Sequence, residues 1–166
     1  MSDPVTCSDL ATEVKRDMIA YFRHMGARVE RFFRSVPKES VWTKPYAYGN
    51  SVGHLVLHLT GNLHHYVGAG IARTGYERDR DREFHEPNPP EPEKAIAAFH
   101  AAIELVVATI ESLDDAAFVK PVVSQKPIQT QFGLLLVVAA HMRNHIGQMA
   151  YIVRALGGDE QQPAAW

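Results

Sequence analysis

Only one cysteine, Cys7, occurs in the 166 residues, so no intrachain disulfide can form. A chain without staples must rely on its core, and a reducing compartment suits it. Cys7 follows the polar stretch Ser2, Asp3, Pro4, Val5 and Thr6, and reads as an incidental thiol near a terminus rather than a nucleophile. An excess of positive charge is also lacking. The formal net charge is −2 and no dense Lys/Arg run occurs, which argues against nucleic acid as a partner. No apolar run approaches the roughly twenty residues of a membrane span; the longest covers 134–140, between Gly133 and His141. The N-terminus lacks the basic-then-apolar order of a signal peptide. A cytoplasmic protein with no membrane partner is therefore expected. No stretch alternates with period two for long enough to suggest a sheet, and there is no internal repeat or low-complexity tract.

What the chain does have is helical periodicity, in a length that fits a single domain over residues 1–166. In a first stretch Leu10, Val14, Met18, Tyr21, Met25, Val29 and Phe32 recur at steps of three and four, with Lys15, Arg16, Arg23, Arg28 and Arg31 on the polar faces. Pro37 ends that pattern. A second helix opens at Asn50 or Ser51, both good N-caps, and buries Val52, Leu55, Val56, Leu59, Leu63, Tyr66 and Val67. The segment 73–90 alternates in charge from Glu77 to Glu83 and ends in Pro87, Pro89 and Pro90; it reads as an exposed crossover loop. A third helix starts near Glu91 and Pro92 and carries Ile96, Phe99, Ile103, Val106, Val107, Ile110 and Leu113. A connection over 114–129, with a short extended piece at Val122 and Val123, leads to a fourth helix. That helix is capped by Thr130 and stopped at Gly157 and Gly158. Four amphipathic helices with two long connections predict an all-α four-helix bundle. Phe22, Phe33 and Trp42 are assigned to its core in preference to an association surface.

Nine histidines are present, and their spacing carries the chemistry. His141 and His145 are four apart, so they lie one helical turn apart on one face. That face is the apolar one, shared with Leu134, Val138, Met149, Ile152 and Leu156. A buried imidazole without a partner costs on the order of 1–3 kcal/mol. A divalent ion would satisfy both rings at once, because each neutral imidazole offers a lone pair. The glutamate of a His-Glu-x-x-His protease is missing, since Met142 follows His141. A third ligand has to come from another helix. On the second, His54, His58 and His65 fall on one side at the edge of the apolar stripe, and geometry alone leaves His54 and His58 nearly tied. Gly61 and Gly68 would let another group approach that helix closely. His64 lies toward the polar side, and His24, His85 and His100 read as surface residues.

The run Ser-Val-Gly-His-Leu-Val-Leu-His-Leu-Thr-Gly-Asn at 51–62, followed by His-Met-Arg-Asn-His-Ile-Gly-Gln at 141–148 and Arg-Ala-Leu-Gly at 154–157, resembles the DinB/YfiT-like metal-binding superfamily of four-helix bundles. The resemblance covers nearly the whole chain. It implies one ligand from the second helix and two from the fourth, which carries over to His58, His141 and His145 and not to His54. It also implies a divalent ion, with zinc or nickel the first expectation and iron or manganese also compatible with imidazole. Three protein ligands leave coordination positions open, as in catalytic rather than structural sites. Members that this chain resembles transfer a low-molecular-weight thiol such as bacillithiol or mycothiol; others are described as metal-dependent hydrolases. A homodimer and a small-molecule substrate, a low-molecular-weight thiol among the candidates, are implied in the same way. No general acid or base is named by the sequence. Glu104, Asp17 and Gln148 are the candidates for orienting an imidazole from behind, and a non-enzymatic metal- or ligand-binding bundle is the alternative.

Overall fold

The computed structural model describes residues 6–123 and 127–157. Ser2 to Val5 and Gly158 lie outside the described residues, so the expectations placed on them are not addressed. Within the described residues the chain is helical, and its one β-bridge joins Pro121 to Thr130. Helix α1 spans Cys7–Arg34, α2 Val52–Leu63, α3 Arg82–His85, α4 Pro92–Ser112, α5 Asp115–Phe118 and α6 Gln131–Ala155. A π-helical segment, His64–Ala72, continues α2.

The helix starts follow from local chemistry. Thr6, Ser51 and Thr130 each accept a hydrogen bond from a backbone N–H three residues on, which satisfies a donor the first turn leaves open. Pro92 opens α4, where its missing N–H costs nothing. Gly157, with φ of 71°, takes the left-handed position just past α6. The extended piece near Val122 is present as a backbone pairing, with the Val122 N–H donating to Gln129 O.

The four long helices surround one apolar core. Helices α1 and α4 pack together, as do α2 and α4, α1 and α6, and α2 and α6. Leu55, Leu59 and Leu63 of α2 meet Phe99, Val106 and Ile110 of α4 and Leu135, Met142 and Met149 of α6 within that core. Burying each such side chain contributes about 1.5–3 kcal/mol. Phe22 and Phe33 are core residues, and Trp42 packs against the core and over Gly53, where any Cβ would overlap the indole ring. That contact, with the Gly53 N–H donating to Val41 O at 2.9 Å, fixes the entry of α2. By length and composition α4 could cross a membrane, but half of its most apolar window is buried inside this core.

Three local expectations need correction. Leu10 and Tyr21 fall on the apolar stripe of α1 but are 61% and 41% exposed. The fully buried part of α1 begins only at Phe22; before it Val14 and Met18 are half-buried against the core, and the stripe is only partly covered. Arg28, placed on the polar face, is buried, and its Nε and Nη1 atoms have no hydrogen-bond partner. The segment 73–90 is not wholly exposed: Glu83 is buried and Arg78 and Phe84 are half-buried. It folds back onto α2 because Gly61 presents no side chain there; a Cβ at Gly61 would overlap the Glu83 carboxylate.

Candidate metal centre

Helices α2 and α6 pack against each other and bring three imidazoles to one point. One ring nitrogen from each of His58, His141 and His145 lies within 4.8 Å of the others. His58 Nε2 is 2.8 Å from His141 Nε2, and His145 Nε2 is 3.2 Å from the same atom. His58 and His145 are buried and His141 is half-buried. Among the described residues no fourth His, Cys, Asp or Glu joins this group.

The back of each outer ring is held. His58 Nδ1 lies 2.8 Å from Glu83 Oε2, and Arg78 grips the same carboxylate with Nε 2.6 Å from Oε1 and Nη2 2.7 Å from Oε2. Burial pushes the Glu83 carboxyl up, but the hydrogen bonds from Arg78 and His58 outweigh it and hold the group below the ordinary carboxylate range. An ionised carboxylate only accepts, so His58 Nδ1 donates to Glu83, and in the neutral ring Nε2 then presents a lone pair. His145 Nδ1 donates likewise to Gln148 Oε1 at 2.8 Å, which leaves a lone pair on its Nε2. Burial pushes the His145 imidazole below its ordinary value, with the Gln148 bond opposing, and so favours the neutral ring.

Two lone pairs thus face His141 Nε2 at close range. A single N–H on that atom can point well at only one of them. A divalent cation takes all three nitrogens, and the donor set of three neutral imidazoles suits it. Of the residues expected to orient a ring, Gln148 does so. Glu104 instead pairs with Arg23 at 3.4 Å on the surface, and Asp17 is exposed beside Arg16. Sequence reasoning missed Glu83; the open face of Gly61 and the charge run ending at Glu83 were its only signals.

His54 does not join the cluster. Its Nδ1 lies 2.6 Å from Ser51 Oγ, and its ring stands edge-on to Trp42 at 5.5 Å. His64 is half-buried, stacked on Tyr76, rather than fully solvated, and His65 packs against Tyr66. His24 stacks on Tyr21, His85 pairs with Asp81, and His100 pairs with Glu30.

A cavity of about 410 Å³ opens onto the three histidines. Asn62 and Tyr66, one and two turns beyond His58, line one wall, and Arg78, Arg80 and Phe84 line another. The Phe84 ring lies 4.6 Å from that of His58. Asn62 Oδ1 is buried with no hydrogen-bond partner. The π-helical turn of His64–Ala72 follows directly, a distortion found often beside functional sites.

Comparison with known proteins gives one family. The pattern described as "Protein of unknown function (DUF1572)" matches residues 9–164, so the chain belongs to that family. No curated protein matches it.

Proposed function

We propose that this member of the DUF1572 family binds one divalent metal ion through His58, His141 and His145, in a single-domain four-helix bundle of the DinB/YfiT-like kind. The observation that carries this is the convergence of His58 Nε2 and His145 Nε2 on His141 Nε2, at 2.8 Å and 3.2 Å. The tautomers of His58 and His145 are set from behind by Glu83 and Gln148. Such a carboxylate–histidine pairing fixes a ligand's orientation and raises its basicity. Zinc and nickel fit the donor set first, with iron and manganese also acceptable.

Three protein ligands and an adjoining cavity support a metalloenzyme rather than a structural site. An ion held there would act as a Lewis acid or lower the pKa of a water or thiol. The residues do the remaining work. His58 and His145 are locked in place, the Arg78–Glu83 pair braces His58, and Val137 and Val138 present apolar surface to the cavity. Within that reading the favoured reaction is transfer of a low-molecular-weight thiol to an electrophile in the cytoplasm, by a homodimer, with metal-dependent hydrolysis second.

Metal content tests the binding claim directly. Untagged protein purified without chelator is analysed by plasma mass spectrometry beside His58→Ala and His141→Ala. Near-stoichiometric metal in the parent and loss in both variants is the expected result. Absence of metal in the parent, even after reloading with zinc and nickel, rejects it. Failure of the loaded protein to bind any thiol in competition rejects thiol transfer alone.

A further inference from the structure

Residues 77–80 alternate in sign, and the structure sorts them by charge. Arg78 and Arg80 line the histidine cavity, whereas Glu77 and Asp79 line a separate groove beside Thr60 and Tyr76. The backbone here is not helical, and successive side chains face different sides of the segment. Farther along, Glu86 lies in the outer groove and pairs with Arg82 at 2.9 Å. Among the described residues no Asp or Glu lines the histidine cavity itself.

The two arginines are not equivalent. Arg78 is committed to Glu83, and its charge is offset there. Arg80 is exposed and its guanidinium carbon lies 5.2 Å from the centroid of Phe84, the ring that packs on His58. Among the described residues no carboxylate pairs with Arg80. It is therefore a cation held two ring contacts from the histidines. An ion on the histidines would add positive charge of its own.

We propose that the histidine cavity takes a small organic carboxylate and that Arg80 is the residue that selects it. One guanidinium with no carboxylate partner among the described residues matches one negative charge, and its planar fork suits a carboxylate. A cavity of about 410 Å³ lies in the size range of small-molecule sites. The proposal rests on the metal-binding reading for the ligand's other end, which would lie at the histidines.

Titration calorimetry on zinc-loaded protein with two matched pairs tests this. One pair is mercaptopropionate and mercaptopropionamide, the other succinate and succinamide. Each carboxylate should bind roughly five- to ten-fold more tightly than its amide. Arg80→Gln should abolish that preference and Arg80→Lys should keep part of it, while all three proteins load zinc equally. Equal binding of carboxylate and amide, a preference that survives Arg80→Gln, or no binding of either carboxylate overturns the proposal. A protein that takes up no zinc defeats the metal reading instead, and the succinate pair on that protein then decides the role of Arg80. If the thiol pair binds no better than the succinate pair, thiol transfer fails while the Arg80 comparison stands.

Discussion

Glu83 reaches His58 from a separate segment and has two tasks there, since its carboxylate both fixes a tautomer and neutralises Arg78. Glu83→Gln removes the charge but keeps the size. Metal affinity, read by chelator competition, is expected to fall about 10–100-fold with all three histidines intact. A change of less than about threefold would show that the carboxylate does not tune the site. His54 behaves differently because its ring accepts where theirs is tied as a donor. Ser51 Oγ takes the His54 backbone N–H and can donate its own hydrogen to Nδ1. Burial, aided by Lys44 and His85, pulls the His54 imidazole below its ordinary value. In the unfolded chain the ring protonates near its usual value of about 6.5, and in the folded chain only at lower pH. The stability it supports is thus complete above that point and lost as pH falls through the folded value. His54→Leu in metal-free protein should flatten the decline in denaturant midpoint between pH 7 and pH 5; an unchanged slope would assign that decline to other groups.

At the scale of elements, periodicity made the helices legible, because each long helix buries one stripe and caps itself locally. Ser51, Thr130 and Pro92 stand where their chemistry placed them. The pairing of His141 with His145 was legible for the same reason, being a property of one helix. His58 over His54 was not decided by the helical wheel and needed the family resemblance. The three-dimensional contacts explain the difference, since Trp42 and Ser51 occupy His54 while Glu83 and Phe84 frame His58. Glu83 itself was hidden because it acts across 25 residues, through a contact that only Gly61 permits. Arg28 was misplaced because a charged residue next to an apolar stripe reads as solvated, whereas in the packed bundle it is buried. With Arg143 and Arg31 nearby and two nitrogens unpartnered, it costs stability where it stands. Arg28→Met should keep the volume and raise the unfolding free energy by roughly 1–3 kcal/mol. A fall in stability on urea denaturation would mean that Arg28 has a partner in solution.

For the whole molecule, an ion that binds only the native arrangement must stabilise it. At free zinc about 100 times the dissociation constant, the gain is about 2.7 kcal/mol. For a chain of this length that should raise the melting temperature by roughly 5–10 °C, and the rise should vanish in His141→Ala. An equal rise in that variant would place the zinc elsewhere. The proposed ligands lie far apart along the chain, His58 and His141 being 83 residues from each other. During synthesis α2 therefore leaves the ribosome long before α6, and for that interval His58 faces no partner. A nascent chain cannot hold the ion in the native way. If the site binds metal as proposed, selection would fall to the finished protein in equilibrium with the ions around it, and occupancy would report how many copies have completed their fold.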